Sequence, residues 1–151
     1  MTVEKTWTHK GLKCTVLHLG SHRCGYVGVE ENHPAYGKDG DYLQVSVHGG
    51  ITFSNWGRFH EYLENGYYWL GFDCAHAGDK YKSDSGTIKG HWWTLTEVVE
   101  ETERLAEQLA EIKESQTLSS DITDFLRRTS METIKQYKQE LEEKDEKQVK
   151  K

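Results

Sequence analysis

The chain holds a single proline, Pro34, and three cysteines, Cys14, Cys24 and Cys74, in 151 residues. An odd and sparse set of thiols supplies no disulfide framework, which points to a reducing, intracellular setting. No stretch approaches the ~20 consecutive apolar residues that a membrane-spanning helix needs. Residues 1–20 carry no charged-then-apolar leader. Neither membrane insertion nor secretion is therefore expected. Positive charge is in short supply as well, with a net charge of −6. That balance gives no general attraction to nucleic-acid backbone or to anionic lipid. G-x-G-x-x-G, the phosphate-loop signature, G-x-S-x-G and H-E-x-x-H are all missing. No motif names a reaction.

What is present is unevenly distributed. All 14 glycines, all eight histidines, all five tryptophans and the three cysteines precede residue 94, as do seven of the eight tyrosines. Beyond it Glu, Lys, Gln and Leu dominate. Residues 1–93 hold nine Lys/Arg against ten Asp/Glu, whereas residues 94–151 hold ten against 15. The chemistry is expected in the first stretch and helical scaffolding in the second.

Residues 13–19 and 23–29 read as strands, the second holding Gly25 and Gly28, which signal a bulge or a close backbone approach. Residues 30–41 read as a loop. In residues 42–47, Leu43, Val45 and Val47 alternate onto one face. Gly49-Gly50 then permits a hairpin turn into residues 51–53. Residues 55–65 suit a short helix around Phe59, Tyr62 and Leu63. Residues 67–73 make the strongest strand, and residues 75–90 read mostly as loop. Thr94-Leu-Thr-Glu97 is a capping box, followed by apolar residues near a 3.6-residue period. Past a break at 116–120, a short helix over 121–128 and a second capping box at Thr129 to Glu132 lead into a thin apolar seam and a charged tail. The expected fold is α+β: an antiparallel sheet of five or six strands with a packed helix in residues 1–114, and a helical arm in residues 115–151. The seam is too thin to bury alone, which favours homo-oligomerisation through the helices.

Four features bear on chemistry. His22-Arg-Cys24 and Cys74-Ala-His76 each place an imidazole and a thiol on one side of an extended chain. Together His22, Cys24, Cys74 and His76 supply a Cys2His2 zinc set; the competing reading is that the thiols are small buried core groups. Asp73, His76, Asp79, His48 and His33 lie at strand ends or in adjoining loops, where an Asp–His hydrogen bond fixes an imidazole for base catalysis or binding. Gly49 and Gly50 expose amides that suit an anion, or serve the turn alone. Finally, Trp56, Tyr67, Tyr68, Trp69, Trp92 and Trp93 are numerous, so that Trp69 or a neighbour is available to stack on a base or sugar.

The strings Cys24-Gly-Tyr-Val-Gly-Val29, His33-Pro34, Val47-His-Gly-Gly-Ile-Thr-Phe-Ser54 and Trp69-Leu-Gly-Phe-Asp-Cys-Ala-His-Ala-Gly-Asp79 resemble a family of small, functionally unassigned proteins of bacteriophages and prophages. The resemblance spans roughly residues 10–112. It implies an accessory phage protein in the bacterial cytoplasm, of the kind that blocks host defence. The corresponding expectation is a binding protein that sequesters a small nucleotide immune signal, such as a cyclic dinucleotide or an ADP-ribose derivative. The alternatives are a hydrolase of such a nucleotide, with or without a metal, and a protein–protein inhibitor acting through the helical arm.

Overall fold

The structure is a computed structural model and describes residues 1–112. The expected arm, its second capping box and its seam lie outside the described residues. So do the inhibitor and oligomer contacts assigned to it.

Five strands form one antiparallel sheet in the order β1-β2-β3-β5-β4. They are β1 (Thr2–His9), β2 (Leu12–His18), β3 (Arg23–Val29), β4 (Phe53–Trp56) and β5 (Tyr68–Asp73). A separate hairpin pairs β6 (Tyr81–Ser83) with β7 (Gly86–Ile88), inside a stretch expected to be loop. One helix, α1 (Leu95–Glu111), follows. The α+β expectation therefore holds at the level of sheet and helix.

The sheet follows from its residues. β2 and β3 are buried along most of their length because both faces are covered. On one face Cys14, Val16, Val27, Val29, Leu70 and Phe72 pack with Val98, Leu105 and Leu109 of α1. On the other, Leu17, Cys24, Tyr26 and Trp69 pack with Leu63 from the loop after β4. The glycines within strands mark close approach. β2 and β3 pair without a register break, so the alternative of a bulge at Gly25 or Gly28 is not needed. A methyl group at Gly25 would overlap Thr102 of α1 and the Phe72 ring. Gly28 lies under the Trp69 indole.

α1 begins where the capping box placed it. Thr94 Oγ1 accepts from the Glu97 amide, and Glu97 Oε1 accepts from the Thr94 amide. Two free amides of the first turn are thereby satisfied. The helix buries Val98, Thr102, Leu105, Ala106 and Leu109 along one stripe.

Two sequence expectations are corrected. Residues 42–47 are not a strand, and Gly49-Gly50 is not a hairpin between strands. Leu43 and Val47 are buried as the alternation required. Their backbone, however, has a different partner: the Gln108 carboxamide accepts from the Ser46 amide and donates to its carbonyl, both at 2.8 Å. A side chain of α1 stands where a neighbouring strand would be. Residues 55–65 hold the end of β4 and a single 3-10 turn, Gly57–Phe59, in place of a short α-helix.

Candidate functional site

The loop after β5 turns back beneath the 47–52 segment and meets the chain just before α1. Asp73, at the end of β5, accepts from the Ala75 amide at 3.0 Å and from Thr52 Oγ1 at 2.9 Å. Those bonds fix the start of the turn. Asp79 closes it: Oδ2 accepts from the His76 amide at 3.0 Å. The Asp79 side chain is 3% exposed. His48 Nε2 donates to the same oxygen at 2.6 Å, and Trp93 Nε1 donates to Oδ1 at 3.0 Å. A carboxylate this deep needs donors in place of water, and Asp79 has three. Burial pushes its pKa up; the bonds from His48, the His76 amide and Trp93 outweigh that, leaving it below the ordinary carboxyl value.

Around this anion the rings form a short row. His48 lies 4.4 Å from the Trp93 ring, centre to centre, and 5.6 Å from His76, edge to face. His76 Nε2 is 3.2 Å from Asp73 Oδ1 yet buried without a hydrogen bond of good geometry, so this second pair is a close contact and not a formed hydrogen bond. Gly49 makes room for it. A methyl group there would overlap the His76 imidazole, and its φ of +70° is one that side chains rarely adopt. His48 Nδ1 has no partner among the described residues, and His48 is only partly buried. With Nε2–H held on Asp79, Nδ1 presents a lone pair outward, or a proton when the ring is charged.

Five of the residues singled out from sequence thus converge: His48, Gly49, Asp73, His76 and Asp79. The others do not join them. The Gly50 amide donates inward to the Val47 carbonyl at 2.8 Å, so it is turned away from any anion. His33 lies at the end of α1, where Nε2 donates to the Leu109 carbonyl at 2.8 Å and Nδ1 accepts from the Ala35 amide at 3.0 Å. Trp69 is a core residue at 1% exposure, its Nε1 donating to the Glu64 carbonyl, and has no face to offer a ligand.

The proposed zinc set is divided. Cys24 packs with Leu17, Tyr26 and Trp69, whereas Cys74 belongs to the cluster beneath α1. Burial pushes the Cys24 thiol up to about 12 and raises Cys74 as well, so both are protonated and pack as small apolar groups. Burial lowers the pKa of His22, whose Nδ1 lies 2.7 Å from Ser21 Oγ. Among the described residues, no three His, Cys, Asp or Glu side chains are grouped to hold a metal ion.

Trp93 is the member that motif reasoning passed over. It appeared only as one of many aromatics, although a tryptophan just ahead of a capping box leaves an indole N–H that needs an acceptor. Beyond it lies an open depression of about 300 Å³, lined by Trp93, Glu97, Glu100, Glu101 and Arg104. His91 closes the row: its Nε2 donates to Glu97 Oε2 at 2.6 Å, and its ring lies 5.8 Å from Trp93.

Comparison with known proteins yields no matching family model, no matching curated protein and no matching solved structure.

Proposed function

We propose that residues 1–112 bind a small ligand at the Asp79–His48 and Asp73–His76 pairs, and that this ligand is a nucleotide signal of a bacterial defence system, sequestered intact by a phage accessory protein. The observation that carries the binding reading is the buried Asp79 carboxylate. Three donors fix it, it fixes His48, and the open Nδ1 of that ring faces outward as a preset contact. The nucleotide class and the phage setting rest on the family resemblance.

The surroundings suggest which part of a nucleotide would meet the site. Three glutamates against one arginine line the depression beside Trp93, which disfavours a phosphate there. The Gly50 amide is turned inward, and the imidazole hydrogen bonds and the Trp93 ring are contacts suited to a base or ribose.

A second reading has one observation of its own. A buried aspartate holding an imidazole whose other nitrogen is free is also the arrangement of a general base, and a water at Nδ1 would make the protein a hydrolase of the same ligand.

One experiment separates the two. The full chain is incubated with cyclic dinucleotides and with ADP-ribose derivatives, stripped of excess ligand, heat-denatured, and the supernatant read by mass spectrometry. Intact nucleotide in stoichiometric yield, lost in His48→Ala, supports sequestration. Fragments, also lost in His48→Ala, support hydrolysis. If none of these nucleotides raises the melting temperature and none is recovered in either form, the nucleotide reading is wrong.

A further inference from the structure

Arg23 lies at the start of β3, outside the row of rings, yet three elements meet at its guanidinium. Nε and Nη2 donate to the two oxygens of Glu4 on β1, at 2.7 and 3.2 Å. Nη1 donates to the Trp93 carbonyl at 2.8 Å. The guanidinium also sits 5.5 Å from the centre of the Trp92 ring. The Arg23 side chain is 15% exposed, and Glu4 is 21% exposed.

This geometry matters because of what hangs from Trp93. Its carbonyl is held by Arg23, its indole N–H is one of the three donors to Asp79, and its ring lies against His48. The stretch from His91 to Thr94 is neither helix nor strand. On one side the His91 amide donates to the Gly78 carbonyl and the Lys80 amide donates to the His91 carbonyl, and on the other Thr94 caps α1. Between those anchors, Arg23 supplies the bond that sets the Trp93 backbone. A planar fork is well suited to this role, because it takes a carboxylate with two donors and still has one for a carbonyl. Lysine offers one point charge and cannot hold both in that arrangement.

We infer that Arg23, locked by Glu4, is a positioning residue for the site: it places Trp93, which in turn holds Asp79 and so fixes the His48 tautomer. This rests on reading the His48–Asp79 pair as the site, but its test needs no ligand.

The test is nitrogen-15 NMR of the full-length protein, reading the His48 ring tautomer and the solvent exchange of the Trp93 indole proton. Wild type should show His48 protonated at Nε2 and a protected indole. In Arg23→Gln and Arg23→Lys the indole proton should exchange faster by about tenfold or more. His48 should also lose its single tautomer, while the amides of Cys14 and Val16 in β2 stay protected. Failure of the lysine variant to rescue would identify the fork, and not the charge, as the requirement. Unchanged indole exchange and an unchanged His48 tautomer in both variants would overturn the proposal. If Arg23→Gln fails to fold, Glu4→Gln is read the same way, because it releases the guanidinium without emptying the space. A protein that passes this test and still binds no nucleotide would refute the proposed function and leave Arg23's role standing.

Discussion

A carboxylate that loses water needs hydrogen bonds in its place, and asparagine cannot supply what Asp79 supplies. Its amide has one acceptor oxygen, while the site points three donors at this position: His48 Nε2, the His76 amide and Trp93 Nε1. Asp79→Asn therefore leaves a buried donor facing a donor. The expected loss is about 1–3 kcal/mol of folding stability, read from urea denaturation. A loss below about 0.5 kcal/mol, the scatter of ordinary surface changes, would show that the carboxylate is not held as described. The neighbouring glycines give a second residue-level prediction. Gly49 and Gly50 both have positive φ, +70° and +80°. Only Gly49 has a ring against its α-carbon; Gly50 has nothing within 4 Å. Gly50→Ala should cost about 1 kcal/mol, for backbone strain alone. Gly49→Ala should cost at least twice that and displace His76. Equal melting temperatures for the two variants would contradict the placement of that imidazole.

Elements differ in how much of their environment the sequence encodes locally. The start of α1 was legible because Thr94 and Glu97 satisfy each other's amides within one turn. Thr94→Ala should accordingly cost about 1 kcal/mol in thermal or urea unfolding, with the helix otherwise intact. Strands β3 and β5 were legible because both faces are buried and their apolar runs are continuous. β1 was not. Five of its eight residues are exposed, three threonines and a lysine among them, and its turn to β2 is Lys10-Gly11, with φ of +53° and +76°, in place of the asparagine-glycine or aspartate-glycine pair that announces such a hairpin. The 42–47 segment misled for the opposite reason. Alternation correctly predicted that Leu43 and Val47 are buried, with Val45 half-buried, but pairing depends on what stands alongside, and there it is Gln108 from 62 residues later. The site shows the same division. His48, Asp73, His76 and Asp79 were legible as polar groups at chain reversals, and Gly49 as a turn glycine beside them. Trp93 and Arg23 were not, since their roles arise from contacts between elements far apart in sequence.

Over the described residues, three histidines sit in places where burial disfavours their charge. Burial lowers the pKa of His22, His33 and His60 below the ordinary value of 6.5. For His33 the geometry gives the reason in detail. Nδ1 accepts the Ala35 amide while Nε2 donates to the Leu109 carbonyl, so the neutral ring joins the loop after β3 to the end of α1. A proton on Nδ1 would face the Ala35 N–H and break that join. The unfolded chain takes up this proton more readily than the folded one, so stability is full above pH 6.5 and declines as pH falls below it. Denaturation midpoints in urea at pH 7.5, 6.5 and 5.5 should drop in that order. His33→Gln isolates one contributor: glutamine does not titrate, so the variant should be less stable than wild type at pH 7.5 while losing less of its stability between pH 7.5 and 5.5. If the variant's pH profile runs parallel to that of wild type, His33 is not the neutral bridge between loop and helix.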